Sequence, residues 1–368
     1  QENHITEETR RAAAKRIMML PIPARDPVFG EPLQEWIDAP SSVDADLNDF
    51  RDGLDPVYAA PTSLDCSGQN MSFKFPRRGR SLSQGQSAEL TIIDLDGNQQ
   101  VIFTADEVIE APNWTPDGDW LVFNAGGKLF RIAVSGGEPE MIDTGELADL
   151  NNDHVLSPDG STAYVSSDDG HLYAVPLAGG APRRVSNDHA TPHHYYLHGI
   201  SPDGQTLSYV AVESPAGERM VNVFTIPAAG GPDRRLTHVN VPNDGPEYSP
   251  DGVWLYFNSE LAASQPGHAQ IFRMKASDGS GIEQLTFDAR VNWFPHLSPD
   301  GQCLVYLSYP EGTIGHPPDK DVELRLMAPN GGDYRVLASF FGGQGTINVN
   351  SWAPDSRRLA FVSYPMLA

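Results

Sequence analysis

The stretch Ser157-Pro-Asp-Gly-Ser-Thr-Ala-Tyr-Val-Ser166 decides the fold of this chain, because it joins a tight turn to an apolar strand and recurs. Proline presets the second turn position, aspartate bonds back to nearby backbone, and glycine accepts a positive φ. The copies lie 42 to 55 residues apart, which is typical of four-stranded propeller blades. The other copies are Thr115-Pro-Asp-Gly118, Ser201-Pro-Asp-Gly204, Ser249-Pro-Asp-Gly252, Ser298-Pro-Asp-Gly301 and the variant Ala353-Pro-Asp-Ser356.

A second hairpin also occurs six times, with Gly-Gly or Asp-Gly at its turn. Its first copy, Leu90-Thr-Ile-Ile93 followed by Asp96-Gly97, precedes the first Pro-Asp turn, and the last Pro-Asp hairpin has no partner after it. Joining these two orphan hairpins completes a ring without exposed sheet edges. The sequence therefore predicts an all-β fold over residues 86–368. It is a six-bladed propeller of four-stranded blades, closed by pairing residues 359–362 with the strand near residues 90–93.

Residues 1–85 lie outside the repeat and are rich in proline and polar residues. They predict an irregular extension with a short helix over residues 7–20, which wraps the propeller or plugs one opening. The chain has two cysteines, Cys66 and Cys303, and neither belongs to a CxxC motif. Whether these two cysteines pair is left open by the sequence.

The net charge of −24 argues against a nucleic-acid partner, which would require a basic surface. Such a charge favours solubility over a specific acidic docking face. No apolar run reaches the length of a membrane span. Because the sequence starts at Gln1, we expect an exported protein, periplasmic or secreted, whose signal peptide has been removed, although a trimmed chain would look the same.

Polar groups precede each Pro-Asp turn, on the strand that lines the axis of a propeller. Three of them are histidines, His154, His198 and His296, which together could bind one divalent metal such as Mn, Zn or Ca. The same groups could do metal-free acid–base chemistry, or simply line a water-filled channel. The remaining candidates for ligand binding around this funnel are Asn113, Asp153, Asp244, Glu247, Trp293, Gln344 and Asn348.

Two further features bear on this funnel. The loop over residues 309–322 is long enough to fold over it, so that His316, Asp319 or Lys320 could touch a ligand, or it is a proline-stiffened surface loop. Trp293 and Tyr196 could stack on a sugar ring, although both suit a core equally well.

The Ser-Pro-Asp-Gly strands and their Gly-Gly hairpins resemble the Pro-Asp (PD40) repeats of TolB-like propellers over about residues 86–365. The segments Asn292-Trp-Phe-Pro-His-Leu-Ser-Pro-Asp-Gly301 and Phe341-Gly-Gly-Gln-Gly-Thr-Ile-Asn348 resemble a bacterial subgroup of that family. TolB itself carries an N-terminal α/β domain and works in the Tol–Pal envelope system. Residues 1–85 depart from that domain, and the resemblance therefore does not extend to membership of the Tol–Pal system or to binding of Pal.

A fainter resemblance links the chain to oligogalacturonate lyases, propellers that bind a divalent metal through channel histidines and a glutamine. It implies that His154, His198, His296 and Gln344 play such parts here. Two functions follow. The first is a propeller that binds a small molecule, carbohydrate or protein on its variable loops and funnel. The second is a metal-dependent lyase or hydrolase acting on acidic carbohydrate, which would require metal ligands that converge in an open pocket.

Overall fold

A computed structural model of the chain describes residues 73–76, 79–214 and 217–366. The fold begins with two strands, β1 (Ala88–Asp94) and β2 (Gln99–Ala105). The helix expected over residues 7–20 lies outside the described residues, as does Cys66 and with it the question of a disulfide to Cys303. No helix in the described ranges is long and apolar enough to cross a membrane.

Five blades follow, each an antiparallel sheet of four strands in chain order. Blade 1 has β3 (Glu110–Trp114), β4 (Trp120–Ala125), β5 (Lys128–Ala133) and β6 (Glu140–Met141). Blade 2 has β7 (Leu150–Leu156), β8 (Thr162–Ser167), β9 (Leu172–Pro176) and β10 (Arg183–Arg184). Blade 3 has β11 (His193–Ile200), β12 (Thr206–Glu213), β13 (Met220–Pro227) and β14 (Arg234–Arg235). Blade 4 has β15 (Asn243–Tyr248), β16 (Trp254–Ser259), β17 (Gln270–Lys275) and β18 (Glu283–Gln284). Blade 5 has β19 (Val291–Leu297), β20 (Leu304–Tyr309), β21 (Lys320–Met327) and β22 (Tyr334–Gly342).

The sixth blade joins the two ends of the repeat. Its last strand, β23 (Arg358–Ser363), lies beside β1, and β2 forms the outer edge. Leu90 is opposite Val362 and Ile93 is opposite Leu359, so the closure expected from the sequence is confirmed. The innermost element of this blade is reduced to a single bridge between Trp352 and Leu359. The predicted six-bladed, all-β propeller is therefore the fold of this chain.

Hydrogen bonds within each Pro-Asp turn explain why the tetrapeptide recurs. In blade 5 the Ser298 hydroxyl donates to Asp300 at 2.6 Å, and the Gln302 amide donates to the same carboxylate at 3.0 Å. Gly301 has a φ of 67°, which glycine adopts without steric strain. In the variant turn of blade 6, Ser356 takes this conformation and its hydroxyl accepts a bond from the Asp300 amide at 3.0 Å.

The turns also touch one another around the ring. A β-carbon placed on Gly204 would lie 3.3 Å from Pro158 of the preceding blade, and one on Gly118 would lie 3.8 Å from Pro354. The same glycine-to-proline contact recurs at Gly160, Gly252 and Gly301. Five of the six neighbouring pairs of blades therefore meet through a turn glycine and a turn proline, and blades 5 and 6 meet through the bond between Asp300 and Ser356.

The hydrophobic core is divided among the seams between blades. Within the described ranges, six clusters of buried apolar side chains each join two neighbouring blades. At the seam between blades 6 and 1, Phe123 stacks on Phe130, and Phe75 meets both rings edge-on. This burial contributes most of the free energy that holds neighbouring blades together.

The two faces of the ring differ in their connections. We call the face with the Pro-Asp and Gly-Gly turns the turn face. The opposite face, which we call the loop face, carries the longer and more varied connections between blades and between the second and third strands of each blade. Its described segments are residues 106–109, 126–127, 142–149, 168–171, 185–192, 214, 217–219, 236–242, 260–269, 285–290, 310–319 and 343–351.

Candidate functional site

Each complete innermost strand has a bulge near its centre, where its pairing with the next strand shifts. In β15 the shift falls between Asp244 and Glu247, and in β19 it falls between Trp293 and His296. The other three, β3, β7 and β11, shift at the same stage of the strand. A bulge re-aims the side chains around it. The polar residues before the Pro-Asp turns are therefore divided between the axis and the seams.

Side chains from all six blades meet in one ring of contacts around the axis. His198 lies 2.7 Å from Asp244, Asp244 lies 3.8 Å from His316, and His316 is hydrogen bonded to Gln344. The amide of Asn348 then donates to Gln344 at 3.1 Å and to Asn152 at 3.4 Å. Asn152 bonds to Glu110, and Glu110 acts electrostatically on Asp153, which faces His198. We call this ring the funnel site: Glu110, Asn152, Asp153, His198, Asp244, His316, Gln344 and Asn348.

The centre of the funnel site holds two carboxylates and one imidazole. Burial, opposed by His198 and reinforced by Asp244 and Glu110, raises the pKa of Asp153 to about 7. Burial would lower the pKa of His198, but Asp244 and Asp153 outweigh it and the net direction is upward. Burial would raise the pKa of Asp244, but His198 reverses the direction. His198 is therefore the cation that two buried acids share.

The loop of blade 5 folds over the funnel, as the length of residues 309–322 allows. His316 packs against Trp293 with ring centroids 4.5 Å apart, and against Phe294 at 5.1 Å. Burial lowers the pKa of His316, although Asp244 opposes the shift. Trp293 is thus a buried wall beneath this loop, with an exposed fraction of 6%.

Arg80 reaches the funnel site from outside the repeat. Its guanidinium donates to the Gln344 carbonyl at 2.9 Å and pairs with Asp319 at 3.2 Å. It also lies 3.9 Å from Glu110 and 4.1 Å from the centre of the Tyr364 ring. The mouth of the funnel therefore already holds one guanidinium between two carboxylates and an aromatic ring.

Two of the three predicted metal ligands lie in the seams between blades. His296 bonds through Nδ1 to Glu247 at 2.5 Å and through Nε2 to the Ile347 carbonyl at 2.6 Å. The Nδ1 atom of His154 bonds to Asn124 at 2.7 Å. Only His198 belongs to the funnel site. Within the described ranges no three His, Cys, Asp or Glu side chains are placed to hold a metal, so these histidines do not fit a shared metal centre.

The bulges explain this separation. His154 and His198 both stand three residues before their turns, but His198 lies inside the bulge between Leu197 and Gly199, whereas His154 is paired with Val165 beyond its bulge. His296 is likewise paired beyond its bulge, opposite Val305. Asn113 likewise sits in the paired part of β3, opposite Val122.

Sequence reasoning missed Glu110, Asn152 and Arg80. The first two stand five residues before Thr115 and Ser157, and Asp244 and Asn348 hold the same place before Ser249 and Ala353. Counting back from each turn would have found these residues. Arg80 precedes the repeat, so the repeat gives no signal for it.

We expect His154 to make stability depend on pH. Burial lowers its folded pKa to about 4, below the ordinary value of 6.5. The unfolded chain then takes up the proton first, so the stabilisation is complete above pH 6.5 and is lost as pH falls towards 4. The expected loss of unfolding free energy over this window is about 3 kcal/mol. Urea unfolding at several pH values measures it.

His154→Gln should flatten this slope, whereas the matched change at exposed His238 should leave it intact. An equal slope in His154→Gln and the parent chain would contradict the assignment.

Comparison with known proteins shows which family this chain is similar to. The TolB beta propeller domain profile (PD40) matches residues 199–365. The uncharacterized protein Atu1656 of Agrobacterium fabrum is 40% identical over 72% of this chain and 88% of its own length. The solved structure of a putative TolB from Agrobacterium tumefaciens aligns with a TM-score of 0.70 and 37% identity, over 76% of this chain and 99% of its own. The Tol-Pal system protein TolB of Francisella tularensis is 24% identical over 74% of this chain, which spans 61% of that protein.

The solved oligogalacturonate lyase with manganese reaches a TM-score of 0.48 at 18% identity, and a nidogen/laminin complex reaches 0.49. A likeness of this size carries no argument about activity. Within the described ranges, the lyase hypothesis therefore has no converging metal centre to support it.

Proposed function

We propose the following function for this chain, which belongs to the family of TolB-like β-propellers: it binds another protein on its loop face, with the funnel site at the centre of the contact. The name of its Francisella relative places that protein in the Tol-Pal system. For the present chain we propose an envelope location and a protein partner, which need not be the same one.

The observation that carries this proposal is the funnel site itself. Its eight polar side chains come from all six blades and bond mainly to one another. The seams use a different set, in which Glu247 and His296 tie blades 4, 5 and 6 together. Buried polar groups that the fold does not need for closure are typical of a recognition site.

The loop face is strongly acidic. Its described segments contain thirteen carboxylates and two arginines, Arg219 and Arg290, and Arg80 adds a third guanidinium at the mouth of the funnel. The carboxylates are Asp106, Glu107, Asp143, Glu146, Asp149, Asp168, Asp169, Asp188, Glu218, Glu260, Asp288, Glu311 and Asp319. The turn face is acidic as well, but most aspartates of its Pro-Asp turns are bonded within their own turns. An acidic loop face favours a partner that presents positive charge, and attraction of this kind speeds encounter.

Apolar side chains accompany this charge. Phe287 is 56% exposed and Ile314 is 49% exposed, and both lie in loop-face segments on either side of blade 5. Large exposed apolar residues beside a polar recognition site are common in protein interfaces.

Site-specific photocrosslinking tests the proposal. A benzophenone amino acid at Ile314 should give a covalent adduct with one protein in the cells that naturally make this chain. The matched position on the turn face is Val253, which is 43% exposed. The same label at Val253 should give no adduct of that size. The Ile314 adduct should fractionate with the cell envelope.

Equal adducts from both positions, or no adduct from Ile314, would rule out the loop face as the binding surface. An adduct in the cytoplasmic fraction alone would contradict the envelope location and leave the binding surface standing.

A further inference from the structure

Four side chains from three neighbouring blades form a group on one side of the funnel. Asp153 from blade 2, Tyr196 and His198 from blade 3 and Asp244 from blade 4 act on one another electrostatically. We call them the cation subsite. His198 and Asp153 are 4% and 5% exposed, while the Asp244 side chain keeps 20% of its surface open. The group is therefore buried at its base and reachable at its rim.

The cation subsite holds two acids and one base. Asp153 and Asp244 face a single imidazole, and the short contact of that imidazole, 2.7 Å, is to Asp244. Among the described residues, Asp153 accepts one side-chain hydrogen bond, from the Asn151 amide at 3.1 Å, although a carboxylate can accept about four. Asp153 thus shares His198 with Asp244, and with a pKa of about 7 it carries its full charge near neutral pH only when a further cation is close.

His198 gives an independent indication that this group binds a ligand. Its Nδ1 atom is buried and makes no complete hydrogen bond, although the backbone of Asn348 is close enough to favour protonation. A buried donor of this kind is costly unless it meets an acceptor. A ligand that brings a cation for Asp153 and an acceptor for His198 would satisfy both groups.

Arg80 is an example, within this chain, of a cation held by two carboxylates and an aromatic ring. Arg80 lies over the Tyr364 ring, with Asp319 and Glu110 as its carboxylates. The cation subsite has similar parts: two carboxylates and a half-buried tyrosine, Tyr196, whose ring stacks on His194 with centroids 4.6 Å apart. Arg219 acts electrostatically on Tyr196 as well.

We infer that the cation subsite binds an organic cation, the ammonium or guanidinium group of a ligand that also offers a neighbouring carbonyl. A lysine or arginine side chain of the proposed partner meets this description, and in that form the inference rests on the proposed function. A free amine meets it too. Asp153 and Asp244 pair with the cation, Tyr196 provides an aromatic wall, and His198 donates to the carbonyl.

Calorimetric titration of the whole chain tests the subsite without the partner. The peptide probes are acetyl-Gly-Arg-Gly-amide and acetyl-Gly-Lys-Gly-amide, with acetyl-Gly-Gln-Gly-amide as the uncharged control. The free probes are butylguanidinium and butylammonium. At least one cationic peptide should bind about tenfold more tightly than the glutamine peptide. Tighter binding of the peptides than of the free cations identifies a protein as the source, and the reverse identifies a small amine.

Two variants locate the binding. Asp153→Asn should weaken the cationic probes about tenfold, whereas Asp119→Asn, which removes one exposed charge on the turn face, should change their affinity less than twofold. If Asp153→Asn does not fold, Tyr196→Leu takes its place and should also weaken binding.

Three outcomes would overturn the inference: equal binding of charged and uncharged peptides, an equal loss of affinity in Asp119→Asn, or no binding at millimolar concentrations. Crosslinking at Ile314 without cation binding would support the proposed protein partner and rule out this subsite. Cation binding without crosslinking would support the subsite and rule out the contact on the loop face.

Discussion

Removing residues 352–368 should abolish the native fold. This segment supplies β23, which lies in the interior of blade 6 and pairs with β1 through six residues from Arg358 to Ser363. Leu359, Ala360, Phe361 and Val362 are almost completely buried. Their loss opens the ring, exposes the edge of β1 and removes part of two core clusters. The expected loss is at least the whole stability of an ordinary domain, about 5–15 kcal/mol.

The shortened chain should show no cooperative unfolding transition and should bind a hydrophobic dye. A synthetic peptide of residues 352–368, added in trans, should restore a transition, whereas a scrambled peptide should not. A shortened chain that unfolds cooperatively near the parent temperature would mean that the ring does not depend on this closure.

Glu247→Ala should be the most damaging single change among the axial residues. Its carboxylate accepts bonds from the Leu297 amide at 3.1 Å and from Asn350 at 2.6 Å, and it pairs with His296 at 2.5 Å. Removing it takes away the acceptor of the buried Leu297 amide and the partner of the buried His296 Nδ1, while the half-buried Asn350 keeps its bond to the Leu297 carbonyl. Breaking a buried pair of this kind costs about 3–5 kcal/mol. The midpoint of urea unfolding at constant slope measures the loss.

His198→Ala is the matched change, because His198 is as buried as Glu247 but belongs to the funnel site. It should lower the free energy of unfolding by only about 1–2 kcal/mol, since its Asp244 partner remains in contact with solvent. Similar losses in the two variants would erase the distinction between seam and funnel on which the proposed function depends.

The closure of the ring could be predicted from sequence because it depends on local chemistry repeated six times. Each Pro-Asp turn is specified by its own four residues, and the unpaired hairpin at Leu90 can be matched only with the one at Leu359. Both strands are buried almost continuously, so the pairing was predicted from the order of the hairpins and not from an alternating pattern. No long-range information beyond the count of hairpins was needed.

The axial residues could be predicted as a group but not one by one. Asp153, His198, Asp244, Gln344 and Asn348 do meet around the axis, whereas His154, Glu247 and His296 lie in seams. The difference comes from the bulges, which shift the strands locally and leave no clear mark in the sequence. Arg80 shows a second limit, because its contact with Gln344 spans 264 residues and follows from no repeat.

The contact between each turn glycine and the preceding proline has a consequence for how such a protein changes over generations. The spacing of neighbouring blades is set on the turn face, by residues that differ little from blade to blade. Insertions and substitutions on the loop face can therefore accumulate without disturbing the angle between blades. Selection for a new partner and selection for a folded ring act on separate surfaces, and one can drift while the other stays fixed.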